Sequence, residues 1–188
     1  TFVLTQDTSF TAEFELARSG KCGTDLKLNW EYAPDNKTLT ISGEGAFDEN
    51  MECGIEARKE MTAVVLKEGV TSLGVQAFYN CTGLTSVELP KGLVKIGGQA
   101  FRNCSGLTSI SIPESVKTIG TAAFYNCTGL KSVVIPEGVE DMEEGALFQH
   151  CSGLKEVVWN AKKCAISPHN GGESYYPPFV RLSNIVSF

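Results

Sequence analysis

The chain holds 188 residues, 42 % of them apolar and 20 % charged, with a formal net charge of −6. That balance argues against a disordered chain, and no apolar run approaches the roughly 20 residues that carry a helix across a bilayer. The negative charge and the scattered Lys and Arg argue against a nucleic-acid surface, which needs clustered basic residues.

The chain begins at Thr1 without Met, and Thr1 to Asp7 has neither the basic start nor the apolar middle of a signal peptide, so a processed product that has lost its signal sequence is expected. Further on, Leu26, Leu28 and Trp30 alternate with polar residues, as do Leu39 and Ile41 after a polar break. Alternation on both sides of a break predicts a β-hairpin, read as an N-terminal cap over 1–60. Met51 to Glu60 is charged and reads as a helical or loop insert.

From Met61 the chain repeats itself. MTAVVLKEGVTSLGVQAFYNCTG is followed by LTSVELPKGLVKIGGQAFRNCSG from Leu84 and by LTSISIPESVKTIGTAAFYNCTG from Leu107. A fourth copy from Leu130, LKSVVIPEGVEDMEEGALFQHCSG, carries one extra residue before its Cys, and LKEVVW from Leu154 begins a fifth. Four full copies and one partial thus fill 61–159. Within each copy, Val87, Ile110 and Val133, and then Leu89, Ile112 and Ile135, alternate with polar neighbours as a short strand does. Pro90, Pro113 and Pro136 follow, and a residue without an N–H ends a ladder. A second apolar pair comes next (Leu93/Ile96, Val116/Ile119, Val139/Met142). After Gly97 and Gly120, Ala100-Phe101 and Ala123-Phe124 suit a short helical or 3-10 turn whose aromatic ring plugs the interior. One 23-residue copy cannot bury enough to fold alone, so the copies must stack as a solenoid of short parallel strands, one or two per repeat. The tail over 160–188 loses the repeat, carries Tyr175, Tyr176, Pro177, Pro178 and Phe179, and reads as a closing cap.

The pattern L-x-S-[VI]-x-[IL]-P-x-x-[VL]-x-x-[IM]-G-x-x-A-F-x-N-C resembles the BspA-like leucine-rich repeats, or Treponema pallidum type, of bacterial surface proteins. The resemblance implies a leucine-rich-repeat solenoid on the cell surface or secreted, with a role in attachment to host or microbial partners. The segment Cys22 to Phe47 is similar to the cap that often precedes such repeats, which places Asp35-Asn36 at the hairpin turn.

Seven cysteines are present. Cys81, Cys104, Cys127 and Cys151 share one repeat position and predict a vertical ladder of buried free thiols, because parallel Cβ vectors about 4.8 Å apart suit neither a disulfide nor a tetrahedral zinc site. A Cys22–Cys53 disulfide would suit an exported protein, while the pairing of Cys22, Cys53 and Cys164 stays open. Asn80, Asn103 and Asn126, each before a ladder Cys, match a glycosylation sequon, as does Asn36; in a tight turn the first three are expected to serve local backbone hydrogen bonds instead.

No catalytic or cofactor motif emerges. His150 and His169 stand outside any ligand or nucleophile pattern, the glycines follow the repeat, and Glu137, Glu140, Asp141, Glu143 and Glu144 lack the spacing of a calcium loop. No cofactor or metal is expected. A glycan hydrolase would need two facing carboxylates in a cleft, for which such a body offers no obvious place.

Binding is expected on the outward strand positions. These are Thr85, Ser86 and Glu88, then Thr108, Ser109 and Ser111, then Lys131, Ser132 and Val134, then Lys155, Glu156 and Val158, a stripe rich in Thr and Ser. Val134 and Val158 are apolar where polar residues are expected and mark the place for a hot spot. The stripe reads either as a recognition surface for a protein or glycan, or as small hydroxyl residues suited to an exposed sheet in a structural spacer.

Overall fold

The computed structural model describes residues 19–23, 27–47, 58, 60–143, 146–162 and 165–167. Leu26, most of the 51–60 insert with Cys53, Glu144, Cys164, His169 and the aromatic tail lie outside them.

Three antiparallel strands open the fold: β1 (Ser19–Cys22), β2 (Leu28–Ala33) and β3 (Thr38–Gly43). The β2–β3 hairpin turns through Pro34–Lys37, with Lys37 at φ 53° and the Asn36 Oδ1 accepting the Thr38 N–H at 3.1 Å. Leu28, Trp30, Leu39 and Ile41 all face inward and are buried, as their alternation predicts.

Strand β3 then changes its role. It pairs in parallel with β5 (Ala63–Leu66), which pairs in parallel with β7 (Ser86–Glu88), so the hairpin's second strand is already the first rung of the solenoid. A second sheet runs alongside, all parallel, in the order β4 (Gly45–Ala46), β6 (Val70–Leu73), β8 (Lys95–Ile96), β9 (Thr118–Ile119), β11 (Asp141–Glu143) and β13 (Ala165–Ser167). The second apolar pair of each repeat supplies this sheet. Ala63 pairs with Ser86 and Lys95 with Thr118, a coil of 23 residues, whereas Ser132 pairs with Glu156, a coil of 24 in the copy that carries the extra residue.

The first sheet does not run unbroken. In the copy that begins at Leu107 the expected strand is missing, and the ladder resumes only where β10 (Ser132–Ile135) pairs with β12 (Glu156–Trp159). Ile110 and Ile112 still point inward, each 7 % exposed. The second outward place holds Ser111, a small residue with little strand preference, where β10 and β12 present Val134 and Val158. On this side a bond from the Lys131 N–H to the Thr108 carbonyl, 3.0 Å, ties the coil to the next, while the second sheet runs past the gap unbroken.

The third side of each coil is a turn. Tyr79 N–H bonds the Gln76 carbonyl at 3.1 Å and Cys81 N–H the Phe78 carbonyl at 3.3 Å, bonds of 3-10 type. Left-handed φ at Gln76 (59°) and Asn80 (62°) keeps them from running on as a helix. The turns are also tied to one another: Gln76, Phe78 and Asn80 donate their N–H groups to the carbonyls of Gly98, Ala100 and Arg102 in the next coil.

Inside, Phe47, Phe78, Phe101, Phe124 and Phe148 form one stack with centroid spacings of 6.3, 5.4, 5.5 and 5.6 Å. Beside it runs the cysteine column, buried and unbridged at Cys81, Cys104, Cys127 and Cys151. Each later thiol donates to a carbonyl one coil earlier: Cys104 to Phe78 (3.2 Å), Cys127 to Phe101 (3.1 Å) and Cys151 to Phe124 (3.0 Å).

Candidate binding face

The outward side of the first sheet carries the residues singled out above. Thr85, Ser86, Glu88, Thr108, Ser109, Ser111, Lys131, Ser132, Val134, Lys155 and Glu156 are exposed, and Val158 is half-buried. Registers align them as rows: Ser132 lies beside Glu156 and Val134 beside Val158. Val134, at 45 %, is one of two large apolar side chains exposed among the described residues, the other being Val94. The break in the sheet divides the stripe, so Ser86 and Glu88 stand on one sheet, Ser132, Val134, Glu156 and Val158 on another, and Ser109 and Ser111 between them.

The hydroxyls are not equivalent. Thr85 Oγ1 donates to the Thr62 carbonyl at 3.0 Å and so belongs to the scaffold. Ser86, Ser109, Ser111 and Ser132 make no side-chain hydrogen bond to a described residue and stay available to a ligand or to water.

The same rows continue into the cap, which the sequence reading does not anticipate. Glu88 aligns with Val65, Val65 with Thr40, Thr40 with Glu31 and Glu31 with Ser19; Ser42 aligns with Asn29 and Asn29 with Lys21. Together with Gly20 and Trp30 these cap residues line an open depression of about 330 Å³. The signal was present in the hairpin's polar positions, which alternate with Leu28, Trp30, Leu39 and Ile41.

The described acidic residues of the fourth copy do not converge. Glu140 pairs with Lys117 at 2.6 Å, Glu137 with Lys162 at 2.7 Å, and Glu143 Oε2 accepts the Thr121 N–H at 3.1 Å. Among the described residues no three His, Cys, Asp or Glu side chains are placed to hold a metal ion, and no helix is long and apolar enough to cross a membrane. His150 lies on the turn side, edge-on to Tyr125 with centroids 5.1 Å apart. Asn80, Asn103 and Asn126 differ from expectation: their amides bond one another from coil to coil, at 2.6 and 3.0 Å, instead of serving the local backbone. The reason is geometric, since stacking brings identical side chains within reach at each coil.

Burial governs the thiols. It pushes Cys81 up to about 12, against a weaker opposing pull from Arg58. Burial, reinforced by the neighbouring Cys81, likewise lifts Cys104 well above its ordinary value. Free of solvent and high in pKa, Cys81 and Cys104 are poor nucleophiles.

The sequence profile of the BspA-type leucine-rich repeat region matches residues 56–169 in six copies, extending a little beyond the pattern of 61–159 at both ends. No curated protein matches the chain. Among solved structures it is similar to a leucine-rich-repeat protein of Eubacterium ventriosum, with 23 % identity and a TM-score of 0.62 over 79 % of this chain and 40 % of that one. It is similar to a leucine-rich cell surface protein of Faecalibacterium prausnitzii, with 30 % identity and a TM-score of 0.55 over 76 % and 44 %. A Treponema pallidum leucine-rich-repeat protein aligns with 23 % identity and a TM-score of 0.50 over 79 % and 86 %. The chain thus spans less than half the length of the first two. At 23 % identity the likeness bears on the fold, and it agrees with the stacked parallel strands.

Proposed function

This chain belongs to the BspA-type leucine-rich-repeat family, and from that membership we propose that it is a secreted or cell-surface binding module. It engages a protein or glycan through the outward side of its first sheet and has no catalytic role and no cofactor. Residues 1–60 act as the N-terminal cap, 61–159 as the repeats and 160–188 as the closing cap. The observation that carries the reading is the outward row of available hydroxyls at Ser86, Ser109, Ser111 and Ser132, ending at the exposed Val134 beside Val158. Apolar anchors rimmed by polar groups are where binding energy concentrates.

The test is an array of extracellular-matrix proteins and glycans probed with the purified chain and with Val134→Asp/Val158→Asp. A ligand bound by the parent and lost in the variant supports the reading. Retention by the variant moves the site off this face, and an array without any hit favours a structural spacer within a longer surface protein.

A further inference from the structure

We infer that a second binding surface lies on the turn side of the coils, centred on Arg102 between Tyr79 and Tyr125, and that it takes a carboxylated glycan. These three residues occupy one repeat position in successive coils. The Arg102 guanidinium carbon sits 4.3 Å from the Tyr125 ring centroid and 6.0 Å from that of Tyr79. Stacking of this kind fixes a long, flexible side chain in one place.

Among the described residues the fixed cation has no anion. Arg102 Nε is enclosed and has no hydrogen-bond partner, and no ion pair or side-chain hydrogen bond joins the guanidinium to any described residue. On a chain of net charge −6 the surrounding turns, 75–80, 98–103, 121–126 and 146–150, hold no Asp or Glu of their own, and the Glu143 carboxylate that reaches the third of them is engaged by the Thr121 N–H at 3.1 Å. Lys117 and Lys162, by contrast, are each matched to a glutamate. An immobilised and unpaired guanidinium is a preorganised carboxylate receptor, because the ordering entropy has been met by the fold and the planar fork fits two oxygens.

The neighbouring groups select a sugar acid over an acidic peptide. Next to the Tyr/Arg column stand the amides of Asn80, Asn103 and Asn126, linked by one Nδ2-to-Oδ1 bond per step. Each linking amide keeps a second N–H and spare acceptor capacity, a mixed donor and acceptor set that suits hydroxyls. The Phe78, Phe101 and Phe124 rings of the same turns are fully buried and offer a peptide side chain no seat.

The test titrates the purified chain with polygalacturonate, with its methyl-esterified form, which lacks the free carboxylates, and with poly-glutamate. Arg102→Gln, Asn126→Asp and Val134→Asp/Val158→Asp are run in parallel, with thermal melting to check folding. Polygalacturonate should bind and its ester should not. Arg102→Gln should weaken binding by about tenfold or more, the scale of one charge-assisted contact. Asn126→Asp tolerates the left-handed backbone and brings a repelling charge into the column, so it should weaken binding in a folded protein. The paired valine variant should bind the polyuronate as the parent does, which separates this surface from the first sheet. Absence of polyuronate binding, equal affinity in folded Arg102→Gln or Asn126→Asp, loss in the valine variant, or equally tight poly-glutamate would each overturn the proposal.

Discussion

Asn103 donates from Nδ2 to Asn80 Oδ1, 2.6 Å away and one coil earlier, while both residues hold left-handed backbones at φ 63° and 62°. Asn meets both demands at once, since it tolerates that conformation and carries a donor and an acceptor on a short stem. Replacing Asn103 with Ala removes its bonds to Asn80 and Asn126 and leaves a Cβ in the left-handed region, so we expect a loss of about 2–3 kcal/mol. Gly keeps the backbone at ease and loses only the bonds, and should cost about 1 kcal/mol. Urea unfolding of the two variants checks this, and equal losses would show that backbone strain plays no part.

The repeat positions that face the core were legible because the core reuses them: the Phe and Cys columns and the inward Val, Ile and Leu positions recur with the coil. What was hidden breaks the period or depends on stacking. Thr38 pairs with Ala63 across 25 residues, outside the 23-residue rhythm, so the period does not show the hairpin's double role as the first coil although Ala46-Phe47 echoes Ala77-Phe78. The missing strand at Ser109 to Ser111 keeps the inward alternation and differs only outside. The Tyr79, Arg102, Tyr125 column varies in identity, so self-similarity passed over it. The asparagines recur visibly with the repeat, yet a bond between coils cannot be read from one copy.

The aromatic stack makes a graded prediction. Phe101 has a ring on either side, at 5.4 and 5.5 Å, whereas Phe47 ends the stack with its neighbour 6.3 Å away. Phe101→Ala should cost about 3–5 kcal/mol through lost burial and a cavity that rigid neighbouring coils cannot fill. Phe47→Ala, with one stacking partner, should cost less. Chemical denaturation of both decides the order, and an equal or reversed pair would mean that the stack does not transmit packing along the coils.

Two glycines of one repeat, Gly92 and Gly97, differ in the space their surroundings leave. A Cβ at Gly97 would stand 2.5 Å from the Gly74 carbonyl carbon and 2.7 Å from the Leu73 oxygen, backbone atoms that cannot move aside. At Gly92 the nearest atom is the Glu68 carboxylate at 3.9 Å. Gly97→Ala should therefore destabilise by about 2 kcal/mol or more and Gly92→Ala by less than about 0.5 kcal/mol. Melting temperatures that fall equally would mean that the coils can spread at that corner.

The thiol column ties stability to alkaline pH. Cys81 is pushed up to about 12 and Cys104 well above the ordinary 9.0, both chiefly by burial. The native state therefore keeps these protons while the unfolded chain releases them, so above about pH 9 the unfolded state binds fewer protons and stability falls as pH rises. The contribution is whole below pH 9 and declines by about 1.4 kcal/mol per pH unit for each such thiol until its folded pKa is reached. Cys104→Ala deletes one titrating site together with its bond to the Phe78 carbonyl. At pH 7 the variant should be less stable by about 1 kcal/mol, and the gap should narrow and then reverse between pH 9 and 11. Urea midpoints across that range measure the difference directly, with other titrating groups common to both proteins. A gap independent of pH would show that Cys104 ionises as readily in the folded coil as in the unfolded chain, and that water reaches the column.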